Sequence, residues 1–450
     1  MKSAGSQPVR LVRGIGLFGA TASNMLNMIG VGPFLTIPLI IASMNGPQAM
    51  LGWILGAGIA ICDGLVWAEL GAAMPDSGGP YRYLFEAFGP HSFGKLMRYL
   101  FLWETIAIAP LSIASGAVGF AQYLKYLWQA VTPGEQKLIA IAVCLMATAL
   151  LYRGIQSVAR LSVILWVVVL GTVGWVTGSG ILHFDLSRVM SFPPHAFDAN
   201  RNFFFGLGAA TLIAMYDFGG YNNVCFFAGE VKDPSKTVPR SILLSVLAIA
   251  VVYLTMNITI LSVIPWQEAA KAETIVSTFI QRLYGNTAAQ VVTLLVLWTA
   301  FGSVFALLLG YSRVPFAAAA EGHFYSAFAR LHPTKHFPTF SLLFVGVTSG
   351  FACLLDLESL VKSLIVIQIM IQSLAQVVAV TLIRRYRKDI VRPFSMWAYP
   401  ASSVIAFGGW FYILLASGWQ YILAGAALIA MGIGTYFWRA KLRREWPYAL

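Results

Sequence analysis

Charge is what this chain has least of. Asp, Glu, Lys and Arg make up 11% of its 450 residues, against 58% hydrophobic residues and a mean hydropathy of +0.74. A soluble domain carries roughly 25% charged residues. The deficit excludes that class and points to a polytopic membrane protein with a lipid bilayer as its solvent. Cysteine is almost as scarce. Cys62, Cys144, Cys225 and Cys353 all fall inside apolar runs, which suits small buried side chains and excludes a disulfide framework or zinc site. Histidine is missing from the spans: His91, His183, His195, His323, His332 and His336 lie in loops or at span boundaries. No nucleophile–base pair or metal cluster is then available at membrane depth, so neither an enzyme nor a bound metal or cofactor is expected. Polar residues do not recur along one helix face, which disfavours a continuous channel pore.

Positive charge is present, at a formal +12, but it is scattered over short loops. No basic domain or basic–aromatic stripe exists to hold a nucleic acid. The polar Met1–Arg13 precedes an apolar segment too long and too broken by glycine for a cleaved signal peptide.

Hydropathy predicts about twelve spans, making an all-α polytopic fold. In order they are Gly14–Met44, Pro47–Met74, Lys95–Trp128, Gln136–Tyr152, Val158–Gly180, Phe203–Gly229, Ser241–Ile264, Thr287–Ala319, Thr339–Leu355, Leu360–Arg384, Met396–Ala416 and Trp419–Phe437. The polar Trp266–Gly285 reads as a short surface helix. Of the 30 Lys and Arg, only Lys125, Lys137, Arg188, Arg201, Lys271, Arg282 and Lys362 fall on one side of this arrangement. The other side is therefore expected to be cytoplasmic, with both termini there, in a cell (inner) membrane.

Two spans are interrupted. The first carries Gly30-Val31-Gly32-Pro33-Phe34 near its middle, and the sixth carries Asp217-Phe218-Gly219-Gly220-Tyr221. Proline lacks a donor and glycine is conformationally loose, so both stretches read as helix breaks. Freed backbone groups persist in a bilayer only where protein or a water-lined cavity satisfies them. Five spans separate the breaks, so equivalent segments run in opposite directions. Such a pair at matching positions of two halves points to a transporter binding site.

Four stretches resemble the amino acid–polyamine–organocation (APC) permeases. They are Gly30-Val31-Gly32-Pro33-Phe34; the run Ala68-Glu69-Leu70-Gly71 to Pro80-Tyr81; Gly229-Glu230-Val231-Lys232-Asp233-Pro234 with Val238-Pro239-Arg240; and Ser312-Arg313-Val314-Pro315-Phe316-Ala317. The resemblance implies a transport core over residues 14–386, built as five plus five helices in inverted repeat (about 14–180 and 203–386). Two further helices follow at 395–438. It also implies alternating access and an amino acid or related amine as substrate.

An α-amino acid would offer its carboxylate to N–H groups around Val31, Gly32 and Phe34. Its ammonium would meet carbonyls near Asn27, Met28, Ile29 and Gly30 and those of Tyr216, Asp217, Gly219 and Gly220. Tyr216, Phe218, Tyr221 and Ile106 or Ile108 are expected to read the rest of the substrate, with Tyr216 standing where the family often has a gating aromatic.

Asp217 is an acid at membrane depth and hence a candidate for substrate binding or for the coupling proton. The alternative is a structural acid that caps the broken helix. Glu104 is a second relay candidate, whereas Asp63 reads as structural. Glu69 and Glu230 lie near the cytoplasmic ends of their spans and are expected to pair with Arg or Lys in an inner gate. Where several relatives carry a lysine in the fifth helix this chain has Val169, and Asn222 replaces a pH-sensing acid. Sodium is disfavoured as the coupling ion, since Ser303, the hydroxyl it would use, is of a kind common in membrane-helix packing, and the proton is the candidate. A polyamine or cationic amino acid permease, or an amino acid exchanger, is the alternative reading.

Overall fold

The computed structural model describes residues 13–75, 79–89, 91–152, 156–320, 322–333 and 337–448, and the side chains of residues 26 and 156–166 are left out. The central part of one resemblance motif, Asp76-Ser77-Gly78, lies outside the described residues.

Helices account for nearly all of the regular structure. They are α1 (Leu17–Met28), α2 (Gly32–Met44), α3 (Met50–Ala73), α4 (Pro80–Ala87), α5 (Phe93–Leu127), α6 (Pro133–Leu151), α7 (Gln156–Leu182) and α8 (Leu186–Val189). Then come α9 (Arg201–Phe218), α10 (Pro234–Val263), α11 (Trp266–Ala269), α12 (Ile275–Tyr284), α13 (Asn286–Tyr311) and α14 (Arg313–Ala320). The chain ends with α15 (Thr339–Ala352), α16 (Leu357–Gln368), α17 (Leu374–Tyr386), α18 (Ala401–Ala416) and α19 (Trp419–Arg443). Among the described residues, eight helical stretches are long and apolar enough to cross a membrane, and four shorter apolar ones accompany them. The fold is all-α and polytopic.

Local sequence explains where the helices begin. Thr132 accepts from Glu135 N–H while the Glu135 carboxylate accepts from Thr132 N–H, a reciprocal capping box that starts α6. Asn200 caps α9 through Phe203 N–H, and Asp356 caps α16 through Ser359 N–H. Proline occupies the first turn of α2, α4, α6 and α10, where its missing donor costs nothing.

The predicted first span is two helices, α1 and α2, parted at Ile29–Val31. The predicted sixth is α9 followed by a 3-10 segment, Asn223–Glu230. A third interruption was not foreseen. The predicted tenth span is α16 and α17 joined by a π-helical turn at Ile369–Ser373.

The helices pack in a regular order. α2 lies along α9, α3 along α10, α5 along α13 and α6 along α15. The main core lies among α2, α3, α9 and α10, where Trp53, Phe218 and Tyr253 pack as a cluster of rings with centroids 5.2–6.0 Å apart. Large apolar side chains such as Leu182, Val251, Phe351 and Leu423 are exposed on outward faces, as lipid contact requires.

Ion pairs fasten both ends. At one end, Lys125 meets Glu273 and Arg282 meets Glu268, each at 2.7 Å. At the Lys- and Arg-rich end, Arg384 meets Glu69, and Arg387 meets Glu86 at 2.8 Å and Asp389 at 2.9 Å. The Arg387 guanidinium holds the Asp389 carboxyl below its ordinary range.

Candidate functional site

The two breaks meet. Gly220 has φ +116°, and a Cβ there would lie 2.9 Å from the Asn27 carbonyl carbon. Both facts require glycine: the conformation is left-handed and the approach leaves no room for a side chain. At the first break the α-helical ladder stops with Ile29 N–H on Met25 O at 2.8 Å. Gly30 N–H turns back to Met28 O at 3.0 Å. Tyr253 hydroxyl caps the same Met28 carbonyl at 2.7 Å. The N–H groups of Val31 and Gly32, at the start of α2, have no intrahelical partner by position.

The segments flanking the breaks are zipped together. Val224 N–H donates to Asn24 Oδ1 at 2.8 Å, and the Asn223 amide donates to Ser23 Oγ at 3.1 Å. Further along, Gly14 and Ile15 N–H both donate to Glu230 O, and Lys232 N–H donates to Ile15 O. α1 and the 3-10 segment, the halves of the two broken helices nearer the basic end, are thus tied to each other.

A cavity of about 380 Å³ opens at the breaks. Asn27, Met28, Gly30, Val31 and Gly32 line it from the first, and Tyr216, Asp217, Gly219, Gly220 and Asn222 from the second. Thr105, Ile108, Ser112 and Ser115 of α5 form one wall, and Ser303 and Tyr311 of α13 another. Gln368 of α16 and Gln372 of the π turn complete it. The cavity continues past Phe101, Phe226 and Val314 toward the basic end. At its other limit Tyr216 hydroxyl and Ser115 Oγ are 2.8 Å apart, bridging α9 to α5.

Asp217 is 2% exposed. Thr36 hydroxyl donates to its Oδ2. Its Oδ1 has no hydrogen-bond partner among the described residues and occupies the space over Gly32, 2.3 Å from where a Cβ would be. Ser303 also faces the first break, its Oγ 3.2 Å from a Cβ on Gly30, while donating to Thr299 O.

Several expected contacts are not made. Phe34 is fully buried, its N–H is turned back to Val31 O at 3.1 Å, and its carbonyl accepts from Tyr123. Phe34 therefore has no donor for a ligand. Ile29, whose carbonyl was expected to meet the ammonium, is buried and does not line the cavity. Phe218 points into the Trp53–Tyr253 cluster, away from the cavity. Tyr221 hydroxyl donates to Asp63, joining the second break to α3. Ile106 packs against the core at the basic end, and Ile108 lines the cavity instead.

The acids divide in the same way. Glu104 is fully buried, with neither oxygen hydrogen-bonded among the described residues, and does not line the cavity. Glu69 accepts from Arg384 Nε at 2.7 Å and from Met396 N–H at 2.8 Å. This pair joins α3, α17 and the segment leading into α18, and neither residue lines the cavity. Glu230 contributes its backbone carbonyl to the pairing with Gly14 and Ile15; no ion pair of its carboxylate is found among the described residues. Asn222, Thr36, Ser115, Gln368 and Gln372 were not anticipated as site residues. A signal for the glutamines existed: Gln368, Gln372 and Gln376 recur every four residues in an apolar helix.

A helical membrane protein with a solute-sized cavity between two discontinuous helices belongs to the carriers. Residues 15–438 match the model of the amino acid permease family, and the chain belongs to that family. It is similar to the Asc-type amino acid transporter 1 of Homo sapiens, at 27% identity over 97% of this chain and 84% of that protein. It is similar to the large neutral amino acids transporter small subunit 2 of Homo sapiens, at 28% over 96% and 82%. An uncharacterised transporter of Mycobacterium bovis is 29% identical over 97% of this chain and 94% of that protein. The chain is a permease, and not an enzyme.

Proposed function

We infer that this permease moves α-amino acids across the membrane by alternating access, binding the zwitterion between the two breaks. The meeting of Gly220 with Asn27 carries this reading, because it brings two sets of unpaired backbone groups to one cavity. Val31 and Gly32 N–H at the start of α2 suit the carboxylate, where the helix dipole favours an anion. Carbonyls around Asn27, Gly30, Tyr216, Gly219 and Gly220, together with Asp217, suit the ammonium; the Met28 carbonyl expected there is already filled by Gly30 N–H and the Tyr253 hydroxyl. A volume of about 380 Å³ falls in the ordinary range for a small-ligand site.

The twelve-span arrangement, with its 5+5 inverted repeat and two added helices, is supported by packing. α2 on α9, α3 on α10, α5 on α13 and α6 on α15 each join a span to the one five later. The basic end is cytoplasmic by the positive-inside rule, which places both termini inside a cell (inner) membrane. The cavity then faces inward, and Tyr216 with Ser115 closes it outward. Its contact with Ser115 supports assigning Tyr216 the gating role. Proton coupling suits a site with an acid in its wall, and sodium remains disfavoured.

Relatives named for large neutral amino acids put these first in a test panel. Uptake by purified protein in liposomes, with imposed proton or sodium gradients and with or without internal amino acid, tests the reading. Saturable uptake of a neutral amino acid is expected. Uptake of putrescine in preference would favour the polyamine alternative, which needs more acid at the cavity than Asp217 alone. Transport of no panel member would overturn the assignment.

A further inference from the structure

Asp217 poses a problem that the transport cycle must solve. Its carboxylate is buried, one oxygen is held by Thr36, and the other lies over Gly32, a cavity-lining residue, with no partner among the described residues. No Lys, Arg or His pairs with it among the described residues. The groups around it are neutral or already engaged. On its own helix, Tyr216 hydroxyl is taken by Ser115. On α10, Tyr253 hydroxyl donates to Met28 O. On α3, Asp63 accepts from Tyr221. On α16, Lys362 is held by Glu358 and Gln368 is uncharged. On α18, Tyr412 donates to Phe204 O. On α2 the neighbours are Gly32 and Thr36.

A lone carboxylate in such a place is costly, so the site changes its access state readily in two forms only. In one the carboxyl carries a proton. In the other it faces the ammonium of a bound amino acid. Only one carboxylate oxygen is unpartnered, so the two cations compete for it.

We propose that Asp217 exchanges a proton for the substrate's ammonium, which makes this permease a proton–amino acid antiporter. The inference rests on the site reading given above. The step balances: protonated Asp217 loses its proton to cavity water and gains an ion pair with the entering zwitterion, and no bond to carbon changes. The empty carrier returns protonated. Proton symport is excluded, because a proton on Asp217 removes the counter-ion the ammonium needs. Linkage gives the sign: below the titration point of Asp217, each pH unit of acidification weakens amino acid binding about tenfold.

The test uses the full-length protein in liposomes with a trapped pH dye and no internal amino acid. Leucine is the first probe, replaced by the best-transported panel member if leucine is not taken up. Uptake should alkalinise the lumen as protons leave. Asp217→Asn should abolish the counterflow and weaken binding by roughly tenfold or more. Thr36→Val removes the hydroxyl that supports the charged form. It should retain counterflow and move the pH midpoint of binding upward. It thereby keeps the proposal testable if Asp217→Asn does not fold. Uptake with protons moving inward, with no proton movement, or with binding strengthened by acid would overturn the proposal and leave the amino acid site standing. Uptake that occurs only with amino acid inside would overturn the proposal alone, and absence of uptake both with and without internal amino acid would overturn both.

Discussion

Gly32 and Gly220 leave out side chains for different reasons. At Gly32 a methyl group would lie 2.3 Å from Asp217 Oδ1, so Gly32→Ala must push the carboxylate out of its place. The carboxylate is the end of a short side chain and can move. The expected result is a tenfold or larger loss of uptake, with a stability cost of about 1–3 kcal/mol. At Gly220 the obstacle is the Asn27 backbone, and φ is +116°. Gly220→Ala should cost more in thermal stability than Gly32→Ala, because backbone cannot step aside. Equal unfolding temperatures for the two variants would contradict this. The sequence alone located both breaks, since glycine and proline act through the backbone. It misjudged side chains two positions from a lining residue. Phe218 follows Tyr216 by two, and Ile106 precedes Ile108 by two; at about 100° per residue each pair faces opposite ways. Phe101, Thr105, Ile108, Ser112 and Ser115 recur at intervals of four and three. That stripe was there to be read in α5.

Among the elements, the broken helices stay ordered because other side chains satisfy what the breaks set free. Tyr253→Phe removes the hydroxyl on Met28 O, but Gly30 N–H still donates to that carbonyl. Its cost should be about 1 kcal/mol. Asn24→Ala leaves Val224 N–H without its acceptor in a buried place. That should cost about 1–3 kcal/mol. Thermal unfolding of purified protein checks the order, with Asn24→Ala the less stable. The π turn at Ile369–Ser373 had no glycine or proline to announce it. A π turn adds one residue between unchanged helical segments, so hydropathy passes over it.

For the whole molecule, the all-helical, membrane-spanning character was readable, because lipid imposes long apolar runs. Which acid meets which partner was not, since such contacts join residues hundreds of positions apart. Glu69 and Arg384 illustrate this. The pair is bidentate, and Glu69 is 1% exposed. Arg384→Ala leaves a buried carboxylate unpaired, at about 3–5 kcal/mol. Arg384→Lys keeps the charge but loses the fork and should recover only part of that. Neither residue lines the cavity, so the order of preference across an amino acid panel should be unchanged in whatever protein folds. A changed order would mean that the pair helps shape the site.

The most direct test of the account is a structure of the protein with a transported amino acid bound, at a resolution that shows side chains. The account predicts the carboxylate about 3 Å from Val31 and Gly32 N–H and the ammonium within hydrogen-bonding reach of Asp217. Solute lodged away from both breaks, or a first and sixth span that run through as unbroken helices, would contradict it.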